Sequence, residues 1–178
     1  MRTGLKLGAG ALAVVGFVCA VGAAMGARET AGAAGTEQIC TAPDARVMVD
    51  LGRHMLALCE KGKTVAAFSI RFGRGGIGKT KEGDGKTPVG VYPLGDPRPS
   101  SRYGTFIPIG YPTEEQRKQG YTGSAVGVHG PARWVKWLGS LVNTFDSSDG
   151  CVGLARDSEI DTIARWVSTD GVRIIELH

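Results

Sequence analysis

The chain has 178 residues, 42% of them hydrophobic and 21% charged, which is enough for one domain and too apolar for an intrinsically disordered one. Its formal net charge is +4 with no block of basic residues, which excludes a nucleic-acid reading. Glycine, at 28 residues, is about twice its usual share, so the sequence implies many turns and short strands.

The N-terminus differs in kind from the rest. Arg2 and Lys6 precede an uncharged, Ala/Gly/Val-rich run from Leu7 to Ala27 that ends in small residues. A basic start, an apolar middle and a small-residue exit predict a signal peptide over 1–27. The alternative is an uncleaved anchor, which would be the chain's one membrane contact. Either way the remainder is expected to be exported, to the periplasm or cell envelope. Residues 28–43 read as a linker, and 44–178 as the single folded domain.

From Ala45 the pattern turns to strands. Arg46–Leu51, Met55–Cys59 and Thr64–Phe72 are short apolar runs with tight turns between them, which predicts a β-meander. A Gly-rich loop, 73–88, leads to a strand at 89–93, and prolines 93, 97 and 99 mark another loop. Thr113 with Gln116 forms a capping-box pattern for a short helix ending at Gly120. Ala125–His129 reads as a strand. Ile160, Ile163, Ala164 and Val167 recur at helical spacing after a cap at Asp157 or Ser158, and Val172–Leu177 closes the domain as a strand. Many short strands with one good helix predict a mainly β, sandwich-like fold.

Gly73–Thr80 spells G-x-x-x-x-G-K-T, the phosphate-binding loop pattern. That loop works only if a helix starts at its end and aims amide groups at the anion. Gly83, Gly85 and Pro88 follow instead, so the string reads as a flexible surface loop, and no nucleotide partner is expected.

Three cysteines follow the signal segment. Cys40 and Cys59 flank the first predicted strand and are candidates to pair in an oxidising compartment, which leaves Cys151 as the odd thiol. Cys151 follows Gly150 in a polar turn that enters an apolar strand. A thiol nucleophile needs a base and an oxyanion-stabilising amide pair, and the bend at Gly150 and Cys151 exposes such amides. Of three histidines, His178 is terminal and His54 sits in a turn. His129, at a strand end, is either the base or a hydrogen-bonded structural histidine.

The chain from about Ala45 to Leu177 resembles the L,D-transpeptidase catalytic domain (YkuD-like) family. Besides the opening hairpin, the resemblance rests on Gly83-Asp84-Gly85-Lys86-Thr87-Pro88-Val89-Gly90-Val91-Tyr92, Val126-Gly127-Val128-His129-Gly130 and Ser148-Asp149-Gly150-Cys151-Val152. It implies Cys151 as nucleophile, His129 as acid and base, the Gly130 carbonyl as orienter of the imidazole, and amides near Gly150 and Cys151 as the oxyanion hole. Asp149 stands where the family has histidine, and Gly153 where it has Arg or Asn, a variant similar to the YafK-like branch with Asp146 upstream. The implied substrate is a peptidoglycan stem peptide. The implied reaction is transfer to an amine, or hydrolysis if water accepts. Ser148, Asp149, Asp146 and Tyr111 are candidates for substrate contact; Tyr103, Trp134 and Trp137 either wall the cleft or belong to the core. No cofactor is implied, and no ligand spacing suggests zinc. A non-catalytic envelope-binding domain is the competing class, and it expects Cys151 buried or oxidised.

Overall fold

Strands β1 (Arg46–Asp50), β2 (Met55–Glu60) and β3 (Lys63–Arg71) form the meander that the apolar runs predict. The computed structural model describes residues 39–143 and 148–178; the expected signal peptide and the linker up to residue 38 lie outside them, as does Asp146. Glu60 pairs with Lys63, leaving a two-residue turn at Lys61 and Gly62, both at positive φ. That is the backbone twist a tight hairpin requires. Both faces of β1 and β2 are buried: Val47, Val49, Leu56 and Leu58 enter the main core, while Met48, Ala57 and Cys59 meet Ile39 and Cys40 behind it. A Cys40–Cys59 disulfide, with Cα atoms 5.4 Å apart, fastens this second layer.

Six further strands extend the meander: β4 (Gly90–Pro93), β5 (Arg98–Ser100), β6 (Gly104–Pro108), β7 (Gly127–His129), β8 (Val152–Leu154) and β9 (Ile174–Leu177). The nine make one mixed sheet in the order β4-β9-β1-β2-β3-β8-β7-β6-β5. One apolar cluster joins both halves of this curled, mainly β sheet to helix α2 (Asp157–Thr169) through Ile160, Ile163 and Val167. Helix α2 starts one residue before the sequence signal. The Glu159 carboxylate reaches back to accept from the amides of Ala155 and Arg156 at 3.1 and 3.0 Å, which makes Arg156 the cap. Helix α1 (Glu114–Lys118) carries the expected capping box between Thr113 and Gln116.

The β5–β6 hairpin departs from the expected proline-marked loop. Strand β5 is the edge of the sheet, where Pro99 costs no interior ladder bond. Residues Lys136–Asn143 form 3-10 turns broken at Gly139, which no apolar period signals.

The string from Gly73 to Thr80 is anchored rather than loosely exposed. No helix begins at Thr80. The Lys79 side chain is 4% exposed and its ammonium lies 2.8 Å from the Asp84 carboxylate. Asp84 also accepts from the amides of Thr80, Lys81 and Lys86, each at 3.0 Å. Burial pulls the Asp84 carboxyl upward, but Lys79 and those amides outweigh it and hold the group well below the usual carboxylate range. Asp84→Asn would leave a buried ammonium without its counter-charge, an expected loss of about 3 kcal/mol or more in urea unfolding. An unchanged midpoint would show that the pair contributes nothing.

Candidate active site

The same anchored loop builds the turn before β8. The Thr87 hydroxyl accepts from the Gly73 amide at 2.9 Å and donates to the Gly150 carbonyl at 3.1 Å. Gly150 has φ 124°, and a Cβ there would stand 2.4 Å from the Lys86 carbonyl oxygen, so only glycine fits. Ser148 locks the rest: its hydroxyl accepts from the Gly150 amide at 3.0 Å and donates to the Cys151 carbonyl at 2.6 Å. This use of the Gly150 N–H corrects its expected oxyanion role, because that amide already has a partner. Ser148 therefore shapes the bend.

Parallel pairing of β7 with β8 places Val128 beside Val152 and His129 beside Gly153. Side chains alternate along strands, so His129 and Gly153 share the face opposite the two buried valines, and Cys151 immediately precedes β8. Cys151 is a free, half-buried thiol whose sulfur lies 3.5 Å from the Ala125 carbonyl oxygen. Burial pushes the thiol above its ordinary value, with the Gly127 amide and the charges of Lys79 and Arg102 opposing and Asp149 adding.

His129 is 1% exposed. Its Nδ1 lies 2.7 Å from the Gly130 carbonyl oxygen, which can only accept, so Nδ1 carries the proton in the neutral ring. Its Nε2 is buried, with no hydrogen-bond partner among the described residues. The Tyr103 ring stacks on the imidazole at 3.7 Å. Burial pulls the histidine down to about 4, against the Gly130 bond and helped by Arg71 and Arg102. At neutral pH the pair rests as neutral thiol and neutral imidazole.

A cavity of about 540 Å³ opens onto Cys151 between the β5–β6 hairpin, the stretch Ser124–Val126 and the Ser148–Cys151 turn. Tyr103 lines it. Tyr111 does not: it is 4% exposed in the core, and its hydroxyl donates to the Lys79 carbonyl at 3.1 Å. That buried anchoring corrects its candidacy for substrate contact. Trp134 and Trp137 are 75% and 78% exposed and do not border the cavity. Asp149 borders it, and pairs with Arg74 at 2.8 Å. Among the described residues no cluster of His, Cys, Asp or Glu is arranged to hold a metal ion.

No local sequence pattern marks Arg71. This buried side chain on β3 pairs in register with Gly153, donates to the Leu154 carbonyl at 3.1 Å, and covers the space where a Cβ at 153 would stand, 2.8 Å from its Cζ. Gly153 therefore leaves room for a guanidinium arriving from the neighbouring strand. Gly153→Ala should cost about 1–2 kcal/mol by overpacking, measured by urea unfolding, and much less in an Arg71→Ala background. Equal losses in both backgrounds would contradict this packing.

A family model described as the L,D-transpeptidase catalytic domain (YkuD) matches residues 44–175. Similar solved structures include the helical cell shape determining protein Pgp2 from Campylobacter jejuni, 25% identical with a TM-score of 0.62, covering 81% of this chain and 52% of that one. Bd1075 from Bdellovibrio bacteriovorus is 22% identical with a TM-score of 0.56 over 75% of this chain and 47% of that one. An Enterococcus faecium L,D-transpeptidase is 18% identical with a TM-score of 0.51 over 76% and 50%. The chain thus spans about half the length of these solved proteins. No curated protein gives a significant match.

Proposed function

The chain belongs to the L,D-transpeptidase catalytic domain family, and from that premise we propose that it is an exported cysteine acyltransferase acting on peptidoglycan stem peptides. The observation that carries the reading is the buried Nε2 of His129, which has no hydrogen-bond partner among the described residues and sits on the strand paired with the one that Cys151 leads into. A half-buried thiol opening onto a cavity also favours chemistry over binding alone.

In this reading the first half-reaction begins with neutral partners. The Cys151 sulfur attacks the carbonyl of the third stem residue, diaminopimelate, as its proton passes to His129 Nε2. The Cys151 amide, on the bend, faces the oxyanion. The tetrahedral adduct collapses when His129 returns the proton to the departing D-alanine amine, leaving a thioester on Cys151. In the second half Nε2 takes a proton from the acceptor, which attacks the thioester; the sulfur leaves and takes that proton back from Nε2, restoring the neutral pair. A stem-peptide amine as acceptor gives a 3-3 cross-link, and water gives a trimmed tripeptide. Gly130 holds the Nδ1 proton throughout, so the imidazole presents the same nitrogen in both halves.

The test is incubation of the protein with purified tetrapeptide muropeptides and mass spectrometry of the products. Cross-linked dimers or tripeptides with free D-alanine are expected. Unchanged substrate, with the protein folded and its thiol reduced, would overturn the reading.

A further inference from the structure

We propose that Arg98 and Arg102, on the β5–β6 hairpin, form a carboxylate-reading subsite of the Cys151 cavity, so that the site takes an acidic peptide by one of its carboxylates. The inference rests on the reading of this cavity as the substrate site, and it adds the chemistry by which the cavity selects.

Both arginines line the cavity that opens onto Cys151. Neither has a carboxylate partner among the described residues, whereas Arg46, Arg53, Arg74, Arg133, Arg156 and Arg173 do; Arg117 and Arg165 show no ion pair either, but they do not border the cavity. Each is held on an aromatic face: the Arg98 guanidinium carbon lies 5.3 Å from the Phe106 ring centre, and that of Arg102 5.2 Å from the Tyr103 ring centre. A guanidinium resting on a ring keeps its edge donors free and is partly ordered before a ligand arrives. The acidic side chain bordering the cavity, Asp149, is neutralised by Arg74. The charged residues lining the cavity are therefore two arginines against one paired carboxylate, and the arginines are preorganised and unspent.

The geometry also links docking to the base. Arg102 covers Tyr103, and Tyr103 stacks on His129. The charged groups facing the imidazole are Arg71 from β3 and Arg102 from the β5–β6 turn, and both oppose its protonation. A carboxylate bound at Arg102 cancels part of that opposition and strengthens His129 as a base while substrate is in place.

The test uses the full chain carrying Cys151→Ala, so that binding is read without turnover, and synthetic tetrapeptides in which each carboxylate in turn is converted to the amide. Amidation of the carboxylate that is read should weaken binding about 10- to 100-fold in the parent, as for a charge-assisted hydrogen bond. Arg98→Met and Arg102→Met should each weaken binding of the free acid by a similar factor. In those variants the amidation should have little further effect, and the arm that shows this identifies the carboxylate. Additive losses, losses shared equally by every amidated peptide, no loss from either arginine change, or no binding of the free acid at millimolar concentration would each overturn the subsite. Turnover of muropeptides by the unmodified protein reports separately on the chemistry.

Discussion

Replacing Cys151 with alanine should lower turnover of a tetrapeptide muropeptide by about 10⁴-fold or more, with the fold unchanged. Cys151 is the free thiol of the described residues, and groups that act as one unit lose nearly everything when the nucleophile goes. The turn itself should survive. Ser148 and Thr87 hold it through the backbone of Gly150 and Cys151, so removing a half-buried sulfur leaves those bonds in place. A thermal midpoint within a degree or two of the parent would separate chemical loss from unfolding. Retained turnover in Cys151→Ala would mean that another group carries the acyl chain.

His129→Gln should lower turnover by about 10² to 10⁴-fold, the range for losing a positioned general base. The pH dependence gives a second, independent readout. His129 is held down to about 4 and the Cys151 thiol is pushed up, so the reactive neutral pair persists from below pH 5 through neutrality. The acid limb of kcat/KM should fall near pH 4, not near the ordinary histidine value of about 6.5. The stability linkage has a definite sign. A histidine buried neutral favours folding above about pH 6.5 and opposes it as pH falls toward 4, because the unfolded chain takes up the proton first. The expected loss across that window is up to about 3 kcal/mol in the parent, smaller in His129→Gln, measured by urea unfolding at a series of pH values. An acid limb at 6.5, or identical pH dependence of stability in both proteins, would show His129 to be accessible and ordinary.

The apolar runs and the helical spacing at Ile160, Ile163 and Val167 carried the meander and α2, because burial follows period directly. The β5–β6 hairpin was invisible because Pro99 is admissible at an edge, and edge status depends on the whole sheet order. The glycine-rich string at 73–80 showed the opposite limit. Its missing helix was legible, but the burial of Lys79 against Asp84 depends on a local fold that the glycines permit without specifying. Within the site, spacing left His129 and Cys151 open, and their roles and that of the Gly130 carbonyl were implied only by the family resemblance that the short motifs carry. The stacking of Tyr103 on His129 and the reach of Arg71 across Gly153 need the β3-β8-β7-β6 register, and no local pattern encodes that.

Transfer of the acyl group to the Cys151 sulfur, with its proton passing to His129 Nε2, is tested by the acid-quenched intact mass of the protein mixed with a stem tetrapeptide. The expected product is an adduct equal to the peptide minus D-alanine, located on the peptide containing Cys151, released by hydroxylamine, and accumulating far more slowly in His129→Gln. An adduct on another residue, or one that forms at the parent rate without His129, would contradict it.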